Sequence, residues 1–284
     1  MRARTGVLPT AVRLLEDRDL DATLDLLRTD PVANVPIAAR VEAFGLEPRR
    51  LGAEVWGYFD DGGLRALCYA GASIVPFGSS PPALRAFADR ARRHGRRCSS
   101  MVGPADAVDP LWQLLRSAWG PARDVRCQPL MATCTPALAP ADPGVRRVLP
   151  AELDTVLPAC IAMFTEEVGV SPTAGDGGAL YRARVGELIA ARRAFARIED
   201  GRVLFKAEIG ALSRAACQVQ GVWVDPSLRG TGLGTAGMAA VVNEILGSVS
   251  PVVSLYVNDY NEPARRAYER VGFATVGRFT SVLF

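Results

Sequence analysis

The chain has 284 residues, which corresponds to roughly two domains at about 150 residues each. Hydrophobic residues make up 49% and charged residues 22%, an ordinary globular composition that excludes long disordered regions. The 33 basic and 30 acidic residues give a net charge of +3 without a dense basic stripe, so a dedicated nucleic-acid binder is excluded. Lys206 is the only lysine among the basic residues, which we attribute to a GC-rich, bacterial genome.

The histidine and cysteine content argues against metal chemistry. The single histidine, His94, lies in a run of arginines that predicts a solvated helix end. The six cysteines contain no Cys-x-x-Cys pair, so we expect neither a metal site nor a disulfide framework, and most of them should be small buried residues. No apolar run reaches the roughly 18 residues that span a bilayer, and the N-terminus lacks a signal-peptide core. We therefore expect a cytoplasmic protein with no membrane or nucleic-acid partner.

Three features occur twice in the same order and indicate two copies of one module. The first is a strand followed by a helix start, at 12–21 and 145–154. The second is a hairpin around an acidic-glycine turn, at 57–72 and 196–211. The third is an acidic-proline helix start, at 109–120 and 262–273. A proline-rich stretch at 135–144 is typical of a boundary. We predict an N-terminal lobe over 1–134, a linker over 135–144 and a C-terminal domain over 145–284.

Hydrophobic periodicity predicts the elements of the second copy in chain order. These are a strand at 145–149, helices at 151–164 and 179–191, strands near 194–199, 202–211 and 215–224, a helix at 233–246, a strand at 252–257, a helix at 262–271, and strands near 273–276 and 278–283. The stretch 170–178 is predicted to be a mobile loop. The order is typical of an α+β fold around a mixed sheet rather than a doubly wound α/β fold.

The most informative stretch is the glycine-rich sequence that follows the strand ending at Val224. Gln218, Gln220, Val222 and Val224 are predicted to share one face of that strand. After Asp225-Pro226 the chain continues as Arg229-Gly-Thr-Gly-Leu-Gly directly into a helix. Glycines allow successive N–H groups to point into one hollow, and the helix dipole adds positive potential there. The stretch therefore predicts an anion site, and a diphosphate is the favoured ligand.

Two other phosphate motifs do not fit. A nucleoside-triphosphate loop needs Gly-Lys-Ser/Thr, and no lysine is near. The glycines 232, 234 and 237 match Gly-x-Gly-x-x-Gly formally, but only 47 residues follow Gly237, too few for the βα units of a dinucleotide fold. A glycine-rich turn without a ligand remains the structural alternative.

The downstream helix makes the pattern specific. After the strand residues 255–258, Asn261 is followed by Ala264, Tyr268 and then Gly272-Phe273. With the Arg229–Gly234 loop, this order and spacing resembles the GCN5-related N-acetyltransferase family over residues 145–284. Residues 1–134 share the outline but have Phe77-Gly-Ser-Ser-Pro-Pro at the loop position and Leu115 at the position of Tyr268. The resemblance thus implies an α+β (three-layer α/β) fold of tandem acetyltransferase-like lobes, each a mixed, mostly antiparallel sheet flanked by helices, with a degenerate N-terminal lobe.

The family resemblance implies acetyl-coenzyme A as cofactor, without a metal. It implies that loop and helix backbone N–H groups hold the pyrophosphate, that the fourth strand and an asparagine bind the pantetheine arm, and that Tyr268 protonates the departing thiolate. The implied cofactor-binding residues are Val222, Trp223, Val224, Arg229, Gly230, Thr231, Gly232, Leu233, Gly234, Thr235, Asn258, Asn261 and Tyr268. A core aromatic is the alternative role for Tyr268.

The general base departs from the family pattern. Many members have a glutamate on the fourth strand, where this chain has Gln218 and Gln220, which cannot accept a proton. Glu208 on the preceding strand is our catalytic candidate, and Glu166 or Glu167 before the loop remain open, directly or through water. Together with the two glutamines, Glu166 and Glu167 are predicted to line the substrate site, although solvated surface carboxylates are an equal alternative.

The implied activity is acetyl transfer to a primary amine by direct attack in a ternary complex. The acceptor could be a small molecule or a protein amine, and a homodimer is left open. An acyl-enzyme on Cys217 is disfavoured because no histidine or nearby cation would form its thiolate. The alternative from another class is a non-catalytic acyl-coenzyme A sensor or scaffold.

Overall fold

The computed structural model describes residues 11–61, 63–174 and 177–284. The chain divides into two compact units. The first contains the described residues up to Leu130 together with Val276–Phe284, and the second contains Met131–Thr275. Both units combine α-helices with a mixed sheet, which confirms the predicted fold class.

The order of helices and strands in the first unit recurs in the second unit, apart from one short helix. Its elements are β1 (Ala11–Leu14), α1 (Leu20–Arg28), α2 (Val35–Phe44), the short α3 (Pro48–Leu51), β2 (Glu54–Asp60), β3 (Gly63–Ala70), β4 (Ser73–Phe77), α4 (Pro81–His94), β5 (Ser100–Pro104), α5 (Ala105–Trp119) and β6 (Asp124–Thr133), whose end enters the second unit. Antiparallel pairs join β1, β2, β3 and β4, and β4 runs parallel to β5.

The second unit has the same order of elements. It contains β7 (Arg146–Arg147), α6 (Leu153–Val168), α7 (Ala179–Ala190), β8 (Ala194–Glu199), β9 (Arg202–Leu212), β10 (Cys217–Val224), α8 (Leu233–Ser248), β11 (Val253–Tyr256), α9 (Glu262–Val271) and the start of β12 (Ala274–Leu283). Its strands follow the order β11-β10-β9-β8-β7. Only β10 and β11 among these neighbours are parallel. The internal duplication predicted from the sequence is thus present in the fold.

An Asp-Gly turn makes the hairpin of the second unit, and β2 and β3 pair antiparallel at the corresponding place in the first unit. In the second unit the β8–β9 turn places Asp200 at φ 48° and Gly201 at φ 73°. Two consecutive positive φ angles match the right-handed twist of paired strands, and glycine or aspartate adopts them at low cost. The acidic-glycine signal therefore located both hairpins correctly.

The C-terminal strand differs from the prediction. Two short strands were expected at 273–276 and 278–283 in the second domain, whereas β12 is one continuous strand. Its residues Phe279–Leu283 pair antiparallel with β5 at Ser100–Pro104, so the last residues complete the sheet of the first unit. The sequence analysis assigned these residues to the sheet of the second domain, because pairing between strands that are far apart in sequence leaves no local signal.

The predicted linker is ordered against the second unit. Residues 135–144 form neither helix nor strand, as expected. Their backbone is held at three points: the N–H of Ala137 bonds the Asn243 side chain at 2.9 Å, that of Leu138 bonds the Val271 carbonyl at 2.9 Å, and that of Asp142 bonds the Ala236 carbonyl at 3.0 Å. This stretch is therefore part of the second unit rather than a free spacer.

A β-bulge in β10 overturns the predicted common face. The register against β9 shifts between Gln218 and Val219 and again between Gln220 and Trp223, and Gly221 has φ 60°. Val222 and Val224 consequently pack against the core beside α8, whereas Gln220 bonds a side chain on the opposite face. An extra residue reverses the alternation of side chains, so the four residues do not share one face.

Most of the cysteines are buried, and the histidine is half-buried. Cys68, Cys98, Cys160 and Cys217 are buried, as predicted for most of the six. His94 ends α4, but its ring lies 5.6 Å from that of Trp56, so the helix end is half-buried rather than fully solvated. Among the described residues, no helix has the length and apolar character needed to cross a membrane.

Candidate active site

The glycine-rich loop leads directly into α8, a helix of 16 residues. Gly232 is its N-cap, and the first intrahelical bond goes from the Ala236 N–H to the Gly232 carbonyl at 3.0 Å. The N–H groups of Leu233, Gly234 and Thr235 therefore precede the helical ladder, as the first N–H groups of any helix do. With the positive end of the helix dipole, this terminus has the donors and the sign of potential that an anion needs.

The loop glycines meet two geometrical requirements. Gly230 and Gly232 have φ 80° and 93°, conformations that side-chain-bearing residues adopt rarely. A Cβ at either position would have no heavy atom within 4 Å, so the space beside them is open. At Gly234 a Cβ would lie 3.3 Å from Val224 Cγ2, which brings the helix start close to β10. The cradle fits a pyrophosphate next to that strand.

The strands beside the loop part as they approach it. β10 and β11 pair in parallel at Cys217–Val253 and Gln218–Ser254. In the part of the chain that the structure describes, the ladder extends no further, although β10 continues to Val224. Unpaired strand edges of this kind can bond an extended ligand arm. This is where the sequence placed the pantetheine arm, through Val222, Trp223 and Val224.

The first unit has the same pair of strands but a different helix start. Its β4 and β5 pair at Ser73–Ser100 and Ile74–Met101. The following helix α4 begins with Pro81 and Pro82, and proline has no backbone N–H. Two of the donors present at the start of α8 are thus missing there. Leu115, at the position of Tyr268, is fully buried in the core.

The side chain of Arg229 is already engaged. One guanidinium nitrogen lies 2.8 Å from Glu166 Oε2 at the end of α6, and Nε donates to the Val224 carbonyl at 3.2 Å. Both members of the ion pair are about half exposed, at 49% and 48%. The indole of Trp223 donates to the other Glu166 oxygen at 3.4 Å. The predicted cofactor loop and predicted substrate-site helix therefore touch.

Tyr268 is buried on α9, with 7% of its surface exposed. Its ring lies 5.9 Å from Phe273 in an edge-on arrangement. Burial, and secondarily the charge of Glu167, raise the pKa of the phenol above its usual range, so it stays protonated at neutral pH. Glu167 also raises the pKa of Tyr256 on β11, again after burial. Glu167 is thus in electrostatic reach of both tyrosines.

The two asparagines flank the start of α9. Asn261 is the N-cap, and its Oδ1 accepts from the Ala264 N–H at 3.3 Å, an interaction that begins the helix. The cap uses only the amide oxygen of Asn261, so its amide nitrogen can donate a hydrogen bond to another group. Asn258 is half-buried just after β11.

Glu208 lies on β9 in a buried ionic cluster. Its Oε2 is 3.3 Å from Lys206 Nζ, and its Oε1 accepts from Gln220 Nε2 at 2.9 Å. The two ion-pair side chains are 4% and 11% exposed. The sequence identified Glu208 and Gln220 but missed Lys206, whose signal was a charged residue two positions from Glu208 in an otherwise apolar strand.

Gln218 and Cys217 lie at the paired end of β10. Gln218 is 5% exposed, and its Nε2 has no hydrogen-bond partner among the described residues. Cys217 is fully buried, which raises the pKa of its thiol to about 12. A thiol held protonated is a poor nucleophile, in agreement with the preference against an acyl-enzyme. No cluster of three or more metal-binding side chains occurs in the described ranges.

The structure thus brings the predicted residues together in three groups. Glu166 forms an ion pair with Arg229 of the loop. The charge of Glu167 contributes to the raised pKa of Tyr268, and Gln220 donates a hydrogen bond to Glu208. All of them lie in the second unit.

Two family models match parts of the chain. Residues 175–273 match the acetyltransferase (GNAT) family. Residues 53–156 match a domain of unknown function, DUF4081.

A short segment also resembles a curated enzyme. It is 46% identical over 57 residues to a mycothiol acetyltransferase of Mycobacterium leprae, which covers 18% of this chain and 18% of that protein.

Solved structures share the fold over nearly the whole chain. A GCN5-related N-acetyltransferase from Sphaerobacter thermophilus has a TM-score of 0.59 at 20% identity, over 96% of this chain and 95% of that one. A tandem GNAT protein from the clavulanic acid biosynthesis pathway has a TM-score of 0.54 at 14% identity, over 97% and 98%.

Proposed function

We propose, because residues 175–273 match the acetyltransferase (GNAT) family, that the protein transfers an acetyl group from acetyl-coenzyme A to a primary amine. The carrying observation is the open, positive-φ glycine cradle at the start of α8, next to the parted strands β10 and β11. When bound, acetyl-coenzyme A supplies an activated thioester. The N–H groups of residues 229–235 would hold its pyrophosphate.

Tyr268 is the general acid of the proposal. A leaving thiolate needs a proton, and a phenol whose pKa is raised by burial is fully protonated at neutral pH. Its position on α9, after the Asn261 cap, follows the family spacing that the sequence resembles.

Glu208 is the proposed general base. Its carboxylate lies on the face of β9 that packs against α6, at the β10 bulge beside the cofactor strand. Glu167, near Tyr268, is the competing candidate. Glu166, which forms an ion pair with Arg229 of the cofactor loop and is about half exposed, is the third candidate.

The acceptor class is a primary amine with no further assignment. Glu166, Glu167 and Glu208 on the α6 side of the sheet carry one more charge than Arg229 and Lys206, the cations paired with Glu166 and Glu208, and this excess would favour a cationic amine. The mycothiol acetyltransferase relative adds no more than acetyl transfer as a precedent, since the shared segment is 18% of each chain. The first unit is proposed to be a non-catalytic lobe.

A steady-state assay of free coenzyme A release, with a panel of small amines, amino acids and peptides, tests the activity. An acetyltransferase releases coenzyme A only with an acceptor, and mass spectrometry identifies the acetylated product. Binding of acetyl-coenzyme A with no turnover on any acceptor would instead support the alternative, a sensor or scaffold that has lost its base.

The base is tested with Glu208→Gln. The variant should lower kcat/KM by about 10²–10⁴-fold, the usual contribution of general base catalysis, and leave cofactor affinity within a few-fold. Glu167→Gln is the matched comparison. Full activity of Glu208→Gln with a large loss in Glu167→Gln would transfer the role to Glu167.

A further inference from the structure

Lys206 differs from every other basic residue of the chain. It is the only lysine, and all the others are arginines. Its side chain is 4% exposed, although a lysine is almost never buried without a partner. A GC-rich composition explains the abundance of arginine, but not why the one exception lies inside the protein beside a candidate base.

The cluster around Lys206 is built by the backbone. Lys206 and Glu208 are two residues apart on β9, so their side chains share one face. Gly221, at the β10 bulge, lies directly over them: a Cβ there would be 3.1 Å from Lys206 Nζ and 3.0 Å from the Glu208 carboxyl carbon. The glycine with φ 60° thus leaves room for the ion pair.

Each oxygen of Glu208 has a single donor in this cluster. Lys206 bonds Oε2 and Gln220 bonds Oε1. A carboxylate has about four lone-pair sites, so acceptor capacity remains on both oxygens. An arginine at position 206 would tend to hydrogen-bond both oxygens of Glu208 at once. It would then occupy lone pairs that are needed to accept the substrate proton.

The other groups that face the pair are neutral or acidic. From α6 it is the thiol of Cys160, whose pKa is raised by burial. From α7 it is the phenol of Tyr181, whose pKa is raised by burial and then by Cys160, Glu208 and Glu167. The strand β8 contributes Ala194 and Ala196 opposite the pair. Lys206 is therefore the positive charge that offsets the burial of Glu208.

We propose that Lys206 is a positioning residue that holds the Glu208 carboxylate through a single charged hydrogen bond to Oε2, so that the carboxylate can accept the proton of the acceptor amine. The inference rests on the proposed function, because it assigns a partner to the base of that reaction. Removal of the ammonium would leave a buried carboxylate without a counter-charge, and such a group takes up a proton at higher pH.

Three substitutions separate charge from geometry. Lys206→Met should move the acid limb of the kcat/KM profile to higher pH by about one to three pH units, the usual effect of an opposite charge at this range, with the plateau at alkaline pH largely retained. Lys206→Arg should leave the limb in place and lower the plateau. Arg184→Met, which removes an exposed ion-paired arginine from α7, is the control and should change neither.

The single lysine also permits a measurement on the unmodified protein. Lysine-selective ¹⁵N labelling gives one side-chain Nζ resonance, observed through the adjacent Cε protons. Its titration should show an inflection at the pH of the acid limb, and Glu208→Gln should abolish that inflection. This measurement stands even if Lys206→Met does not fold.

The outcomes distinguish the two levels of the proposal. An inflection that matches the acid limb, together with the shift in Lys206→Met, supports the role of Lys206. If Glu208→Gln is inactive but Lys206→Met has an unchanged profile, Glu208 remains the base and the inference about Lys206 is overturned. If Glu208→Gln is fully active, Glu208 is not the general base. An Nζ inflection in the unmodified protein would then identify the Lys206–Glu208 pair as purely structural.

Discussion

Arg229 of the cofactor loop forms an ion pair with Glu166 of α6 at 2.8 Å. A carboxylate thereby lies next to the cradle proposed for a pyrophosphate. Both side chains are about half exposed, so solvent screens the pair and its energy is about 0–1 kcal/mol.

Glu166→Gln should therefore tighten coenzyme A binding by about two- to five-fold, an effect within the range of one exposed charge pair. Isothermal titration calorimetry at low salt measures the change, which should shrink as salt is added. Glu244→Gln is the matched control, because it removes an equally exposed arginine-paired glutamate from α8. Weaker binding in Glu166→Gln would mean that Glu166 supports the loop conformation instead.

The cradle itself is tested at Gly232. Gly232→Asp should abolish the rise in melting temperature that acetyl-coenzyme A causes by mass action, because a carboxylate would occupy the diphosphate space. Gly232→Asn has nearly the same shape without the charge, and asparagine tolerates the φ of 93° better than most residues. Asparagine should retain part of the shift, and an unchanged dissociation constant in the aspartate variant would contradict a phosphate site here.

Tyr268→Phe keeps the ring against Phe273 and removes only the proton. Turnover should fall about 10²–10⁴-fold, while cofactor affinity stays within a few-fold. Tyr260→Phe, at a tyrosine 69% exposed just before α9, should leave turnover unchanged. Joint loss of binding and turnover in Tyr268→Phe would indicate a packing role.

The pH profile gives a second test of Tyr268. A general acid works in its protonated form, and the raised pKa of Tyr268 moves loss of that form above the ordinary phenol value of about 10. Wild-type kcat should therefore show no decline attributable to Tyr268 between pH 8 and about 10. Glu167→Gln removes a charge that raises the pKa and should move any alkaline limb to lower pH.

One coenzyme A should bind per chain. The helix start of the first unit has two prolines where α8 presents N–H donors, so we expect no second site of comparable affinity. Calorimetric stoichiometry measures this directly. Two equivalent sites would contradict the loss of cofactor binding in the first unit.

Local signals in the sequence were sufficient for most of the second unit. Asp200-Gly201 located the β8–β9 hairpin, and Glu262-Pro263 marked the start of α9, because turns and helix starts depend on a few neighbouring residues. The order of glycines, asparagine and tyrosine then identified the loop and the helix of the candidate site.

Features that depend on distant residues were not predictable. The bulge at Gly221 depends on the fit of β10 to β9, and it reversed the expected face of Val222 and Val224. The burial of Lys206 depends on α6 and on the missing Cβ at Gly221. Neither follows from periodicity, which describes one strand at a time.

Strand β12 has a consequence for how the protein is made. Phe279 pairs with Pro104 and Leu283 pairs with Ser100, so one edge of β5 stays open until residues 279–283, far downstream in the chain, have been synthesised. The N-terminal unit is translated first, yet its sheet closes last, and an uncovered strand edge is prone to pair with other chains. A fragment of residues 145–284 would carry β12 without its partner and should aggregate, and a chain that stops before Val276 would leave β5 open permanently.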